Sequence, residues 1–336
     1  MKNRNEFFEY VKENIRDYLP PHLENAQLSI YEWIRENDRK MHVLTIRLSE
    51  KDTFPNICLD GFYQCYQDGK ELDACVGDIA DVYIAYGSME DAKEPGIIWD
   101  YEKVKDRLFI RLCDLQWNQD YLKDKVYTVH GDFAAAYYIA IYEDREKILK
   151  VPVTDVLIRT WGISMEQFHK DAILAERPRQ PVLADLNTLC SEMLLGIGKA
   201  ENLLAEGTVY HSTGIPMLCL TNRRKQFGAS LILHGDILRR AGEVLGSNYF
   251  VLPSSIHETI LVPDIDGSDA QGLCLMVKEI NEGKVEACEQ LSDKVQYYDR
   301  ETGVLENALD RERRLPSLEE GSGSEEEDER DGLTNI

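Results

Sequence analysis

The apolar positions of this chain change period several times, and each change marks an element. Phe7, Val11, Ile15 and Tyr18/Leu19 recur at helical spacing until Pro20-Pro21 ends the run. Residues 26–34 and 41–48 alternate instead, around the polar turn Asn37-Asp38-Arg39-Lys40, and predict a β-hairpin. A short strand at 56–59 leads to a helical piece from Asp60 and a helix over Glu71–Tyr86, with Leu72, Cys75, Val76, Ile79 and Tyr83 on one face. Tyr101, Val104, Leu108 and Leu112 carry the same period and predict a helix within 100–115. Val126–Val129 and Phe133–Tyr142 flank His130-Gly131-Asp132 and predict a second hairpin. Helices follow over Asp155–Trp161, closed by Gly162, and from Ser164, which with Gln167 forms an S-x-x-Q box. A connector at 176–181 precedes a helix over Asp185–Leu195.

The last third has a rhythm of its own. Strands Pro216–Leu220 and Gly228–Leu233 lead to helix Asp236–Leu245, closed by Gly246. Strands Asn248–Leu252 and Ile256–Val262, helix Asp269–Ile280 and a short strand near Val295–Tyr298 complete it. This β-β-α-β-β-α order, with hairpins in place of long crossovers, predicts an α+β fold on antiparallel sheets. The expected organisation is an N-terminal α+β region (1–205), a C-terminal module (206–305) and an acidic low-complexity tail (306–336) that is expected to be disordered.

Charge narrows the choice of partner. Acidic residues number 61 against 38 basic ones, a net charge of −23. From Ser317 onward there are eight acids and one base, a net −7, which leaves −16 for the rest of the chain. Such a surface argues against nucleic-acid binding. The longest apolar run, Phe133–Tyr142, falls well short of the ~18–20 residues that span a bilayer. The opening residues MKNRNEFFEYVKENI carry no apolar signal segment, so a cytoplasmic location without membrane association is expected. The eight cysteines form no C-x-x-C pair and the seven histidines are scattered, so neither a zinc site nor disulfides are expected.

Candidate chemistry centres on PSSIHE, Pro253–Glu258. Ser254, Ser255, His257 and Glu258 hold the hydroxyls, imidazole and carboxylate of a nucleophile–base–orienter set. If the segment is a regular strand, His257 and Glu258 point to opposite faces and cannot orient one another, and the plainer expectation is a hairpin turn in which Pro253 and the two serines satisfy backbone groups. Asn222, Arg223, Arg224 and Lys225 lie between two predicted strands and form a candidate interaction loop. Asp264–Asp269 resembles a calcium loop but has glycine at its fourth position and Leu275 at its twelfth, so it reads as a turn whose Asp269 caps a helix. Gly196-Ile197-Gly198 lacks the third glycine of a dinucleotide fingerprint, and no phosphate-binding loop or H-E-x-x-H motif is present. No cofactor is therefore expected. In His234-Gly235-Asp236 the aspartate reads as an N-cap. His22, His42, His130, His169 and His211 read as structural or exposed.

The blocks LTN (Leu220–Asn222), GAS (Gly228–Ser230), LPSSIHE (Leu252–Glu258), YYDRETG (Tyr297–Gly303) and ICLDGFYQCYQDGKEL (Ile57–Leu72) resemble a family of intracellular proteins of anaerobic gut bacteria, classed as a domain of unknown function. The resemblance spans about residues 1–305 and the tail departs from it. It implies no activity, cofactor or catalytic residue, and only a loose association with mobile-element genes. The segment 43–83 and the C-terminal order also resemble a second uncharacterised bacterial family. The reading that follows is a non-enzymatic protein whose partner is another protein. Its alternatives are a hydrolase built on the PSSIHE segment and an acidic DNA mimic that occupies a nucleic-acid-binding protein.

Overall fold

Asn3 opens the first helix with a reciprocal cap, its side chain accepting from the Glu6 N–H while the Glu6 carboxylate accepts from its own N–H. The computed structural model describes residues 1–48, 56–87, 96–143, 148–196, 198–211, 214–265 and 269–314. The acidic tail from 315, Ile197, and Asp266, Gly267 and Ser268 of the aspartate-rich turn lie outside the described residues. Helix α1 (Arg4–Asn14) buries Phe7, Phe8 and Val11 against α2 (Asp60–Gln67), α3 (Leu72–Gly87) and the three-stranded sheet β1 (Gln27–Arg35), β2 (Arg39–Arg47) and β3 (Ile57–Cys58). The β1–β2 hairpin turns at Glu36-Asn37-Asp38, where Asn37 and Asp38 take positive φ, a conformation these two residue types tolerate best after glycine.

A second sheet lies at the centre of the chain. Strand β6 (Phe133–Glu143) pairs with β4 (Leu108–Asp114) on one side, and with β5 (Tyr127–His130) and β7 (Ile148–Pro152) end to end on the other. The helix expected over 100–115 is confined to α4 (Tyr101–Val104), and Leu108–Asp114 is a strand. The spacing 104, 108, 112 is a multiple of two as well as of four, and Ile110 completes the strand alternation. Leu108, Ile110 and Leu112 face the main core with α5 (Asp155–Trp161) and α6 (Met165–Glu176). Phe109, Arg111 and Cys113 face the opposite way with Ala134, Ala136 and Tyr138.

The third sheet has six strands in the order β13-β12-β10-β11-β9-β8, all neighbours antiparallel. They are β8 (Pro181–Asp185), β9 (Leu218–Asn222), β10 (Tyr249–Leu252), β11 (Thr259–Pro263), β12 (Gln296–Asp299) and β13 (Val304–Asn307). Leu218, Leu220, Tyr249, Val251 and Leu261 join the main core with α8 (Gly235–Leu245). Cys219, Phe250, Leu252, Ile260 and Tyr297 meet α7 (Leu186–Leu195), α9 (Ala270–Lys284) and α10 (Ala308–Arg314) on the other face. The protein is therefore α+β with antiparallel sheets.

Three expectations change here. Gly228–Leu233 is a 3-10 turn and not the second strand of the module. The connector at 176–181 hides the start of edge strand β8, whose Leu183 N–H donates to the Asn202 side chain and whose Leu183 carbonyl accepts from the Leu203 N–H, blunting that edge. Residues 306–314, read as the start of the tail, finish β13 and form α10.

One buried ion pair joins the first two sheets. Arg111 and Glu36 are each 3% exposed and meet at 2.6 Å. Arg35 Nε donates to the same carboxylate at 2.8 Å and the Tyr121 hydroxyl at 3.3 Å. Burial raises the Glu36 carboxyl, but Arg111 and Arg35 outweigh it and hold the pKa at about 2. Around the pair, the Asn37 N–H donates to Asn118 Oδ1, and Asp38 accepts from the N–H groups of Asp120 and Tyr121. Glu36→Gln leaves a buried guanidinium unneutralised and is expected to cost about 3–5 kcal/mol in urea unfolding. Because the folded carboxyl titrates below its ordinary 4.5, the wild-type advantage over Glu36→Gln is full above about 4.5 and shrinks as pH falls toward 2. A gap between the two proteins that does not change over that window would contradict this.

Candidate functional site

The PSSIHE segment is a loop between β10 and β11 and not a strand, so side-chain alternation does not separate its residues. Hydrogen bonds do. Ser255 is buried and its hydroxyl donates to Glu258 Oε1 at 2.7 Å, while accepting from the His257 N–H at 3.0 Å. His257 Nδ1 accepts from the Phe227 N–H at 3.2 Å, so the neutral ring carries its proton on Nε2, which faces Glu289 at 3.5 Å. The imidazole's basic nitrogen is thus engaged by backbone, and the Ser255 hydroxyl points to a carboxylate. Ser254 N–H bonds the Leu252 carbonyl. The four residues share one loop, with Ser255 turned to Glu258 and the imidazole to the Phe227 N–H and Glu289. No serine hydroxyl therefore bonds that imidazole among the described residues.

The adjoining loop 222–228 is tightly built. Asn222 is buried, its Oδ1 accepting from the Arg224 N–H and its Nδ2 donating to the Gln226 carbonyl. Lys225 and Phe227 both take φ near +55°, an uncommon conformation outside glycine. Thr221 Oγ1 donates to the His257 carbonyl at 2.9 Å. A Cβ on Gly228 would stand 2.6 Å from that same carbonyl oxygen, so only glycine lets the two loops close. Of the expected interaction loop, Asn222 is scaffold. Arg223 donates to the Gln180 side chain, and Arg224 pairs with Glu143, which also takes both prongs of Arg179. Lys225 alone of the four has no such partner among the described residues.

Two cavities meet at Lys225. One, about 430 Å³, is lined by Leu186, Leu189, Cys190, Met193 and Ile260, with His257 at its polar end. The other, about 720 Å³, is lined on its polar side by Asn202, Asn222, Arg223 and Lys199. They share Leu189, Thr221 and Lys225. They adjoin as one cleft region, more apolar in the first cavity and lined by charges of both signs, among them Glu192 and Glu201, in the second.

Other polar clusters gave no local signal because their members are distant in sequence. Glu176 is buried at the end of α6 and accepts from the Ser230 hydroxyl at 2.8 Å, with His234 Nε2 at 3.1 Å. A carboxylate between serine and histidine is a structural knot, because the histidine does not touch the hydroxyl. His130 and His169 are not isolated. Their rings stack at 5.3 Å, and the Tyr137 hydroxyl bridges Thr128 and His169. Burial first, then the neighbouring imidazole, lowers the His130 pKa. The N-cap of α8 is His234, and Asp236 pairs with Arg177 at 2.8 Å instead of capping. Asp269 does cap α9, accepting from the Gln271 and Gly272 N–H groups. Glu36, Arg111 and Lys150 also escaped sequence reasoning.

The loop closure has a controlled test. Gly228→Ala is expected to cost about 1–3 kcal/mol by urea unfolding, since the added methyl must displace backbone. Gly235→Ala, with open space at its Cβ position, should be neutral or slightly stabilising. Equal effects at the two positions would refute the close approach.

No curated protein and no solved structure matches the chain. A family model spans residues 4–300, which takes in all three sheets up to β12, the PSSIHE loop and the cleft beside it. The chain belongs to that family, a family of unknown function (DUF5688).

Proposed function

We propose that this is a cytoplasmic protein-binding protein whose cleft holds a partner segment that carries an apolar side chain followed by carboxylates. The observation that carries the reading is Lys225, an unpaired cation at the junction of an apolar and a polar cavity. Lys199 and Lys284, at either end, likewise have no carboxylate partner among the described residues. Two of the nearby acids serve the chain itself, Glu258 accepting from Ser255 and Glu192 from the Ala200 N–H. The lining sets four cations, Lys199, Arg223, Lys225 and Lys284, against four carboxylates, Glu192, Glu201, Glu258 and Glu289, so the cleft is near neutral on a chain of net charge −23. Beside it, α7 ends in Met193, Leu194 and Leu195, which are 57, 82 and 68% exposed. Three consecutive exposed apolar side chains next to an apolar cavity are what a partner surface would cover. The eight cysteines are all free, which fits a reducing compartment.

Selection of displayed random peptides on the immobilised protein tests this. Enriched sequences are expected to place Leu, Ile, Met or Phe next to Asp or Glu. Synthetic peptides of that sequence should lose about tenfold or more in affinity to Lys225→Glu and to Met193→Asp. No enrichment, or binding indifferent to both variants, would overturn the reading. A basic nucleic-acid-binding protein recognised by DNA mimicry would contact carboxylates instead, and Lys225→Glu would leave its binding unchanged or strengthen it.

A further inference from the structure

Lys150 lies in β7 opposite Ala140, on the same face of the central sheet as Phe109, Arg111 and Tyr138. Its side chain is half-buried. Its amine stands 4.7 Å from the centroid of the Phe227 ring and 5.1 Å from that of Tyr138. It has no hydrogen-bond or carboxylate partner among the described residues. The Arg111 guanidinium stands 5.2 Å from the same Phe227 centroid.

The charges around this amine do not balance. Arg111 comes from β4, Arg35 and Glu36 from the first hairpin, and Lys125 from the loop before β5. Glu36 is already engaged by both Arg111 and Arg35. Tyr138 and Tyr121, whose hydroxyls bond one another, are pushed up by burial and so stay uncharged. Asp124 acts on Lys125, so besides the lysine two guanidiniums, Arg111 and Arg35, share one carboxylate, Glu36. Burial, then Arg111, pushes the Lys150 amine down to about 7, so much of it is neutral and nucleophilic near neutral pH. A second observation is independent of that one. Arg111 Nε is buried and has no acceptor. The region lacks one anion, and it lacks it beside an unprotonated amine.

We infer that Lys150 is a carbamylation site, taking up carbon dioxide as a carbamate whose charge is met by Arg111 and Arg35. The amine lone pair forms the N–C bond to the carbon of carbon dioxide. One C=O electron pair moves onto oxygen, and the nitrogen releases a proton to solvent. The product is R–NH–COO⁻, with no change of oxidation state and no further reactant. An imine formed with an aldehyde or ketone would leave the lysine neutral or cationic and the charge surplus unanswered. The carbamate supplies both the missing charge and an acceptor for Arg111 Nε. Carbon dioxide also needs room only at the end of the side chain. This site is independent of the peptide cleft, so either reading can fail without the other.

The full-length protein in ¹³C-bicarbonate tests the inference by ¹³C NMR, with the carbamate trapped by a trialkyloxonium salt and located by peptide mass spectrometry. One dominant carbamate signal is expected, trapped on the peptide that contains Lys150 and lost in Lys150→Met. At fixed dissolved carbon dioxide its occupancy, below saturation, should fall about a hundredfold per pH unit below about 7, one factor of ten from protonation of the amine and one from the proton released on carbamate formation. Trapping on the wild-type protein locates the adduct even if Lys150→Met folds poorly. The inference is overturned if no carbamate forms at saturating bicarbonate. It is overturned equally if labelled bicarbonate binds without an N–C bond, or if the adduct lies on exposed lysines and not on Lys150.

Discussion

A guanidinium on the buried face of a β-sheet must have a counter-charge within reach. Arg111 occupies such a position in β4, between Phe109 and Cys113 and facing a layer of alanines on β6. Nothing in its own sheet neutralises it. Glu36 does, and Glu36 sits at the tip of a hairpin that belongs to another sheet and another core. Leaving either charge buried alone costs about 3–5 kcal/mol, a large share of a typical domain's ~5–15 kcal/mol net stability. The hairpin tip is therefore pinned where the pair requires. Asn37 and Asp38 hold it there through Asn118, Asp120 and Tyr121, and Asn37 also donates to the carbonyls of Ala287 and Gln290. One electrostatic requirement thus orders the N-terminal hairpin, the loop after β4 and the segment after α9 relative to one another.

The same constraint reaches the cleft through Phe227. Its ring stacks on Phe109 at 5.4 Å, receives Arg111 and Lys150 on its faces, and lies 5.6 Å from the His257 ring. Its backbone N–H fixes the His257 tautomer. The positive φ of Phe227 and the missing side chain of Gly228 let one residue face the charged site and the PSSIHE loop together. The PSSIHE residues therefore owe their arrangement to packing. Ser255 and Glu258 satisfy each other, and His257 supports the wall on which Lys225 stands.

What was legible in the sequence was local. The glycines that close α5 and α8, the Asp269 cap and both hairpin turns were readable because each depends on a few adjacent residues. Strand β4 was misread because its apolar spacing satisfies two periods at once. Gly228–Leu233 has strand-like composition, but its start is dictated by the approach of His257, which lies on another strand connection. The PSSIHE block reads from sequence as a nucleophile–base–orienter candidate, whereas which atom bonds which is set by Phe227 and Glu289. Arg111, Glu36 and Lys150 carried no signal at all. A charged residue in a strand looks exposed until its distant partner is known.

The Glu36–Arg111 pair is the joint between the N-terminal hairpin and the central sheet, and its effect can be measured amide by amide. Native-state hydrogen exchange on the wild type and Glu36→Gln compares protection in β1–β2 with that in β4, β6 and the 115–125 loop. The pair predicts that the variant loses protection in both regions by the same free energy, since each is held by the other. Loss confined to the hairpin, with the central sheet exchanging as in the wild type, would contradict it.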